Sequence, residues 1–287
     1  MEDRTVLSKI VYCWRPLILF MVVSICISAI LEGVWTEALR DRILAGAGGA
    51  YAYTAQTVWG YLCLIIPAGA GGLAVRREAL FELHARARAG GLLPEMSGRA
   101  GSQGPAVSRR ERTGNLIVVC LAAAALSLGI NLLFSLTVLR GPEASVSSLP
   151  GLLPGPFGMV LQAAVYGIYM PVIEELVFRG LLFGRCERAF GLRAGILVSG
   201  LMFGVYHASP VQWVYATVMG MVFAAAYAAS GDFSLPAALH GICNLAVLFL
   251  QWTGLYRAVC TPGWAAAFFG IAAAGFYTVL YSARKRR

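Results

Sequence analysis

The sequence predicts an all-α, polytopic membrane bundle of about eight transmembrane helices. Three observations lead there. Of the 287 residues, 59% are hydrophobic and only 13% are charged, against about 25% charged in a soluble domain. The apolar residues gather in runs close to the ~20 that a helix needs to cross a hydrocarbon core. Lys and Arg crowd into alternate connections between those runs, which is how topology is written into membrane proteins.

The first span is expected over 16–34. Arg4, Lys9 and Arg15 precede it as in a signal peptide, but no small-residue cleavage site stands before Glu32, so a retained helix is expected. The second covers 54–75. After it, "RREALFELHARARA" reads as a short interfacial helix. His84 lies there among arginines, a poor metal environment, and is expected to be solvated. The rest of 76–114 is rich in Arg, Gly, Pro and Ser, which break helical periodicity, and is expected to be a mobile linker. It divides an N-terminal two-helix segment, 1–75, from a six-helix catalytic membrane domain, 115–287. The spans of that domain are expected at 115–138, 158–183, 194–209, 211–229, 235–252 and 262–282. The fifth is short and meets the sixth at Ser209-Pro210, as a tight hairpin would. Pro171 should kink the fourth. Asp232 or Ser234 can cap the seventh, with Pro236 in its first turn.

The net charge of +9 follows the same topology. With a cytoplasmic N-terminus, the basic residues of 1–15, 76–114, 179–193 and 283–287 fall on the inner side, leaving Arg40, Arg42, Arg140 and Arg257 outside. Both termini are therefore expected in the cytoplasm. The excess charge orients the chain and meets anionic headgroups, and no nucleic-acid partner is expected. The Ala, Gly and Arg bias is compatible with a bacterial source, which would make the membrane the cytoplasmic one. Seven scattered cysteines without a CxxC pair read as free thiols.

Function is legible in what is out of place. A charge at the bilayer centre costs about 2.5–3.5 kcal/mol on insertion scales. Glu174, Glu175, Arg179, His207 and His240 all lie inside spans, joined by the amide of Asn244. Glu175 and Arg179, at i and i+4, share a helix face and form an ion pair, while Glu174 is turned about 100° away with Phe178 at its own i+4 position. Glu174 is thus free to act as a base and Glu175 to support. Phe203 and His207 share a face in "FGVYH", as do His240 and Asn244 in "HGICN". In hydrolysis, Glu174 takes a proton from water with one histidine sharing that water. The other histidine and Asn244 donate to the oxyanion, a contribution of about 10²–10³ per donor. Aspartyl chemistry is excluded, because Asp3, Asp41 and Asp232 all lie outside the heart of any span; no HExxH is present. A rhomboid-type GxSG is approached only by Ser199 in "LVSG".

Glu174-Glu175-x-x-x-Arg179, Phe203-x-x-x-His207 and His240-x-x-x-Asn244 resemble the three motifs of the CAAX-protease and bacteriocin-processing family, also called the CPBP or Abi family. "FRG" after the glutamates and Cys243 before Asn244 add to the likeness, which covers roughly 115–260. The resemblance implies an intramembrane glutamic endopeptidase, a hydrolase of the Rce1-like kind, acting on a membrane-associated or lipidated peptide or protein. It implies that Glu174 and His207 activate water, that His240 and Asn244 form the oxyanion hole, and that Glu175 and Arg179 support the site. It also implies that no metal or other cofactor is required, although a Glu/His/His set contains donors that zinc accepts. Two other readings use the same residues: a non-catalytic scaffold or bacteriocin-immunity protein, and a proton-coupled transporter with Glu174 as carrier. A simple serpentine path sets His207 near one membrane face and His240 near the other, so the two meet only if the short fifth helix is tilted or sunk.

Overall fold

The computed structural model describes residues 5–45, 49–90, 109–137, 155–207 and 209–284. Most of the expected linker, 91–108, lies outside the described residues. Among them seven helices are long and apolar enough to cross a membrane. They are the bundle that the composition predicts, with one shorter helix added. α1 (Val6–Val34) starts at Thr5, whose hydroxyl caps Ser8 N, and continues through a π turn at Trp35–Leu39. α2 is Gly49–Ala89 and α3 is Arg109–Leu136. α4 (Gly155–Phe190) is one long span in which α-helical and π-helical pieces alternate. α5 (Leu192–Tyr206) has 15 residues, α6 is Pro210–Ser230 and α7 is Ser234–Trp252. A short α8 (Leu255–Val259) leads to α9 (Pro262–Arg284).

α1 and α2 begin or end well beyond the spans that hydropathy marks. "RREALFELHARARA" continues α2 rather than forming a separate interfacial helix. Hydropathy locates the edge of the membrane, whereas a helix continues for as long as its side chains find partners. Glu78 accepts from Arg15 at 2.6 Å and from Arg185. Glu82 pairs with Arg188 at 2.6 Å, and Arg86 with Glu187 at 2.6 Å and the Ala228 carbonyl at 3.1 Å. His84, by contrast, is exposed, and its Nδ1 bonds to the Leu80 carbonyl one turn back on the same helix. As a belt, the bonds of Glu78, Glu82 and Arg86 join α1, α2, α4 and α6 at one end of the bundle.

The other contacts bring the polar helices together. α1 lies along α2, and both pack on the second half of α4. α3 lies along α9, α5 along α6, and α7 touches α3, α4 and α6. Gly191, at φ 89°, lets one residue connect α4 to α5. The N-cap of α7 is Phe233, with no side-chain cap, rather than Asp232 or Ser234: Asp232 stands one residue earlier and accepts from Ser234 N at 2.9 Å, and Ser234 is already the first residue of the helix. α7 meets α4 backbone to backbone: a Cβ on Gly241 would run into the Gly167 carbonyl. Neither side can yield there by rotating a side chain. Gly241→Ala is therefore expected to destabilise the protein by about 1–3 kcal/mol through overpacking, read as a lower midpoint of thermal unfolding in detergent. An unchanged midpoint would contradict this close approach.

Candidate active site

Glu174 and Glu175 end a short α-helical piece, Met170–Glu175, held between two π-helical stretches, Val165–Tyr169 and Leu176–Phe183. Pro171 sits in the first turn of that piece, next to the break that its missing N–H favours. π turns widen a helix locally and recur at functional sites. Here they swing the two carboxyl groups toward α7.

Glu175 and Arg179 are fully buried and paired at 2.8 Å, as their spacing predicts. Arg179 also donates to the Gly220 carbonyl of α6 at 2.9 Å and lies over the rings of Phe203, at 4.6 Å, and Phe223, at 5.4 Å. Its charge is thus held by a carboxylate, a carbonyl and two π faces. Glu175 Oε1 also lies 3.0 Å from His240 Nδ1. A carboxylate paired with arginine can only accept, so Nδ1 donates. The Nε2 of the same ring faces Glu174, 3.7 Å from its Oε2. His240 is clamped by Phe223, stacked at 5.0 Å, and by the edge of Phe203 at 5.4 Å.

His207 follows the last turn of α5 in an extended conformation. Its Nδ1 lies 2.7 Å from the Phe203 carbonyl. A carbonyl only accepts, so Nδ1 carries a proton and donates, which leaves Nε2 as the nitrogen turned to other partners. The Phe203 ring touches both imidazoles, 4.8 Å from that of His207. The short α5 is what allows this. Its 15 residues rise about 22 Å, less than the ~30 Å of a hydrocarbon core, so α5 is too short to carry His207 across a full core thickness. Asn244, one turn beyond His240, donates to the Tyr166 carbonyl at 2.8 Å, leaving its second N–H and its oxygen.

A cavity of about 800 Å³ lies among these groups, and Glu174, His207, His240 and Asn244 all line it. Glu175 and Arg179 stand behind, out of the lining. Ser199 is fully buried outside the cavity, its hydroxyl donating to the Phe178 carbonyl at 3.0 Å, which is a structural use. Among the described residues, no group of three or more His, Cys, Asp and Glu side chains is disposed to hold a metal ion.

Several lining residues lie outside the three motifs. α1 contributes Ser24 and Ser28, α2 contributes Cys63 and Pro67, and α3 contributes Asn131. The two N-terminal helices thus form walls of the cavity. Asn131 carries a legible signal, an amide inside the third predicted span. The others carry none, because serine and cysteine are ordinary in a membrane helix.

Residues 156–246 match the family model described as Type II CAAX prenyl endopeptidase Rce1-like. YdiL of Bacillus subtilis (strain 168), provisionally named a membrane peptidase, is 29% identical over 93 residues, which is 32% of this chain and 37% of YdiL. The chain thus matches little more than a third of that relative's length. No solved structure matches the chain. The matched stretch contains Glu174, His207, His240 and Asn244, and the family model together with the relative supports a membrane protease.

Proposed function

We propose that the chain is an intramembrane endopeptidase that hydrolyses a peptide bond in a membrane-associated or lipidated substrate with water activated by Glu174 and His207. The observation that carries this reading is the meeting of a carboxylate, two imidazoles and an amide around one cavity. Glu174 and Nε2 of His207 offer acceptors for the protons of a water molecule held between them. The hydroxide adds to the scissile carbonyl. His240, as an imidazolium with Nδ1 held by Glu175 and Nε2 free to donate, and Asn244, through its second N–H, donate to the oxyanion that forms. Collapse of the tetrahedral intermediate breaks the C–N bond, and the proton taken by Glu174 passes to the departing amine.

Each supporting contact has a role in this scheme. Glu175 orients His240 by accepting from Nδ1, and Arg179 holds Glu175 by an ion pair. The Tyr166 carbonyl fixes the rotamer of Asn244. Pre-set donors and acceptors need no reorganisation as charge develops, the property that makes such sites effective.

The test uses purified chain in detergent with a lipidated fluorogenic peptide, the products being identified by mass spectrometry with and without a chelator. Cleavage at one bond, undiminished by the chelator, is expected. Loss of cleavage that returns with added zinc would replace the water-activation scheme by a metal-based one. Absence of any product would leave the scaffold reading in its place.

A further inference from the structure

The cavity lies toward one end of the bundle. On α1 it is lined by Ser24, Ile25 and Ser28, while Arg15 enters the ionic belt at the opposite end. On α2 the cavity takes Gly60 to Ala68 and the belt takes Glu78 to Arg86. On α4 the cavity takes Tyr166, Met170 and Glu174, and the belt takes Arg185 to Arg188. α1 runs antiparallel to α2 and α4, so the agreement does not follow from chain direction. On α3, Asn131 and Phe134 line the cavity at the far end from Arg110 and Arg112. On α5, His207 is at the far end from Arg193. Glu174 and Arg188 are about 20 Å apart along the helix axis.

The two ends differ in charge. Beyond the belt, the arginine end holds Arg76, Arg77, Arg110, Arg112, Arg193 and Arg284. The cavity end holds Arg40, Arg42 and Arg257 among the described residues. Lys and Arg are retained on the cytoplasmic side when membrane proteins insert. The cavity is also not purely apolar toward its own end: Ser28 of α1, Asn131 of α3 and Gln212 of α6 all line it.

We propose that this site is reached from the extracytoplasmic side, so that its substrate is a peptide presented in or just beyond the outer leaflet. The substrate assignment rests on the peptidase reading; the side of entry rests on the cavity's place relative to the arginines. A cytoplasmic lipidated C-terminus would have to pass the belt, where α1, α2, α4 and α6 are tied together.

Thiol labelling tests the side of entry without relying on catalysis. The full chain is expressed in a bacterial cytoplasmic membrane with Gln212→Cys at the cavity or Arg77→Cys at the arginine end, and wild type serves as the blank for native thiols. A membrane-impermeant maleimide is applied to intact spheroplasts and to inverted vesicles. Gln212→Cys should label in spheroplasts and not in inverted vesicles, and Arg77→Cys the reverse. Ser28→Cys, on another wall, gives the same readout if Gln212→Cys does not accumulate. Labelling of the cavity cysteines from inverted vesicles only, or from neither side, overturns the proposal. A chain that labels as expected yet cuts no peptide keeps this orientation and refutes the peptidase reading alone.

Discussion

Glu174→Gln is expected to lower the rate of peptide cleavage by about 10²–10⁴-fold, the range that a positioned general base contributes. The substitution keeps the shape of the side chain and its ability to pack beside His240, 3.7 Å away. It removes the ability to take a proton. The loss should therefore fall on kcat, with unfolding temperature and substrate affinity little changed. Turnover equal to wild type would end the assignment of Glu174 as base. Glu174→Ala combined with His207→Ala separates the readings further. A scaffold or immunity function would survive the pair, whereas a peptidase function would not. A transporter would show pH-dependent flux in liposomes with no peptide bond broken.

Arg179→Met is expected to destabilise the protein by about 3–5 kcal/mol, because it strands a buried carboxylate. Both members of the Glu175–Arg179 pair are fully buried, and Arg179 further holds the Gly220 carbonyl and lies on two aromatic rings. Removal of the cation leaves Glu175 with only the imidazole of His240 as partner. Unfolding in mixed micelles should report the loss as a lower midpoint. Glu175→Gln added to Arg179→Met should recover part of it, since the uncompensated charge is then gone. The double variant should nevertheless stay slow, because His240 is no longer oriented by a charged acceptor. A single variant as stable as wild type would show that the buried carboxylate of Glu175 does not depend on Arg179.

Much of this site is legible in one dimension, and the reason is periodicity. The Glu175–Arg179 pair follows from one helical turn, and it forms even though Arg179 stands in a π-helical stretch. The Ser209-Pro210 hairpin follows from the helix-starting preference of proline, and Pro210 does begin α6. Partners that lie on different helices are not legible in this way. Nothing in the spacing says that His240 bridges Glu175 and Glu174, that Asn244 donates to Tyr166, or that Arg179 reaches Gly220. The ionic belt is hidden for the same reason. Glu78 and Glu82 look like solvated charges of a surface helix until α1 and α4 are set beside them.

By itself the sequence determined that the chain crosses a membrane many times, that its arginines gather at one side, and which few side chains carry polarity into the bilayer. These properties depend on hydropathy and on spacing along single helices, and both are local. Only the tertiary structure decided that the polar groups of α4, α5 and α7 surround one cavity, and that the N-terminal helices wall it. That outcome depends on the length of α5 and on the close approach of Gly241 to Gly167, which set the depth and distance of one helix relative to another.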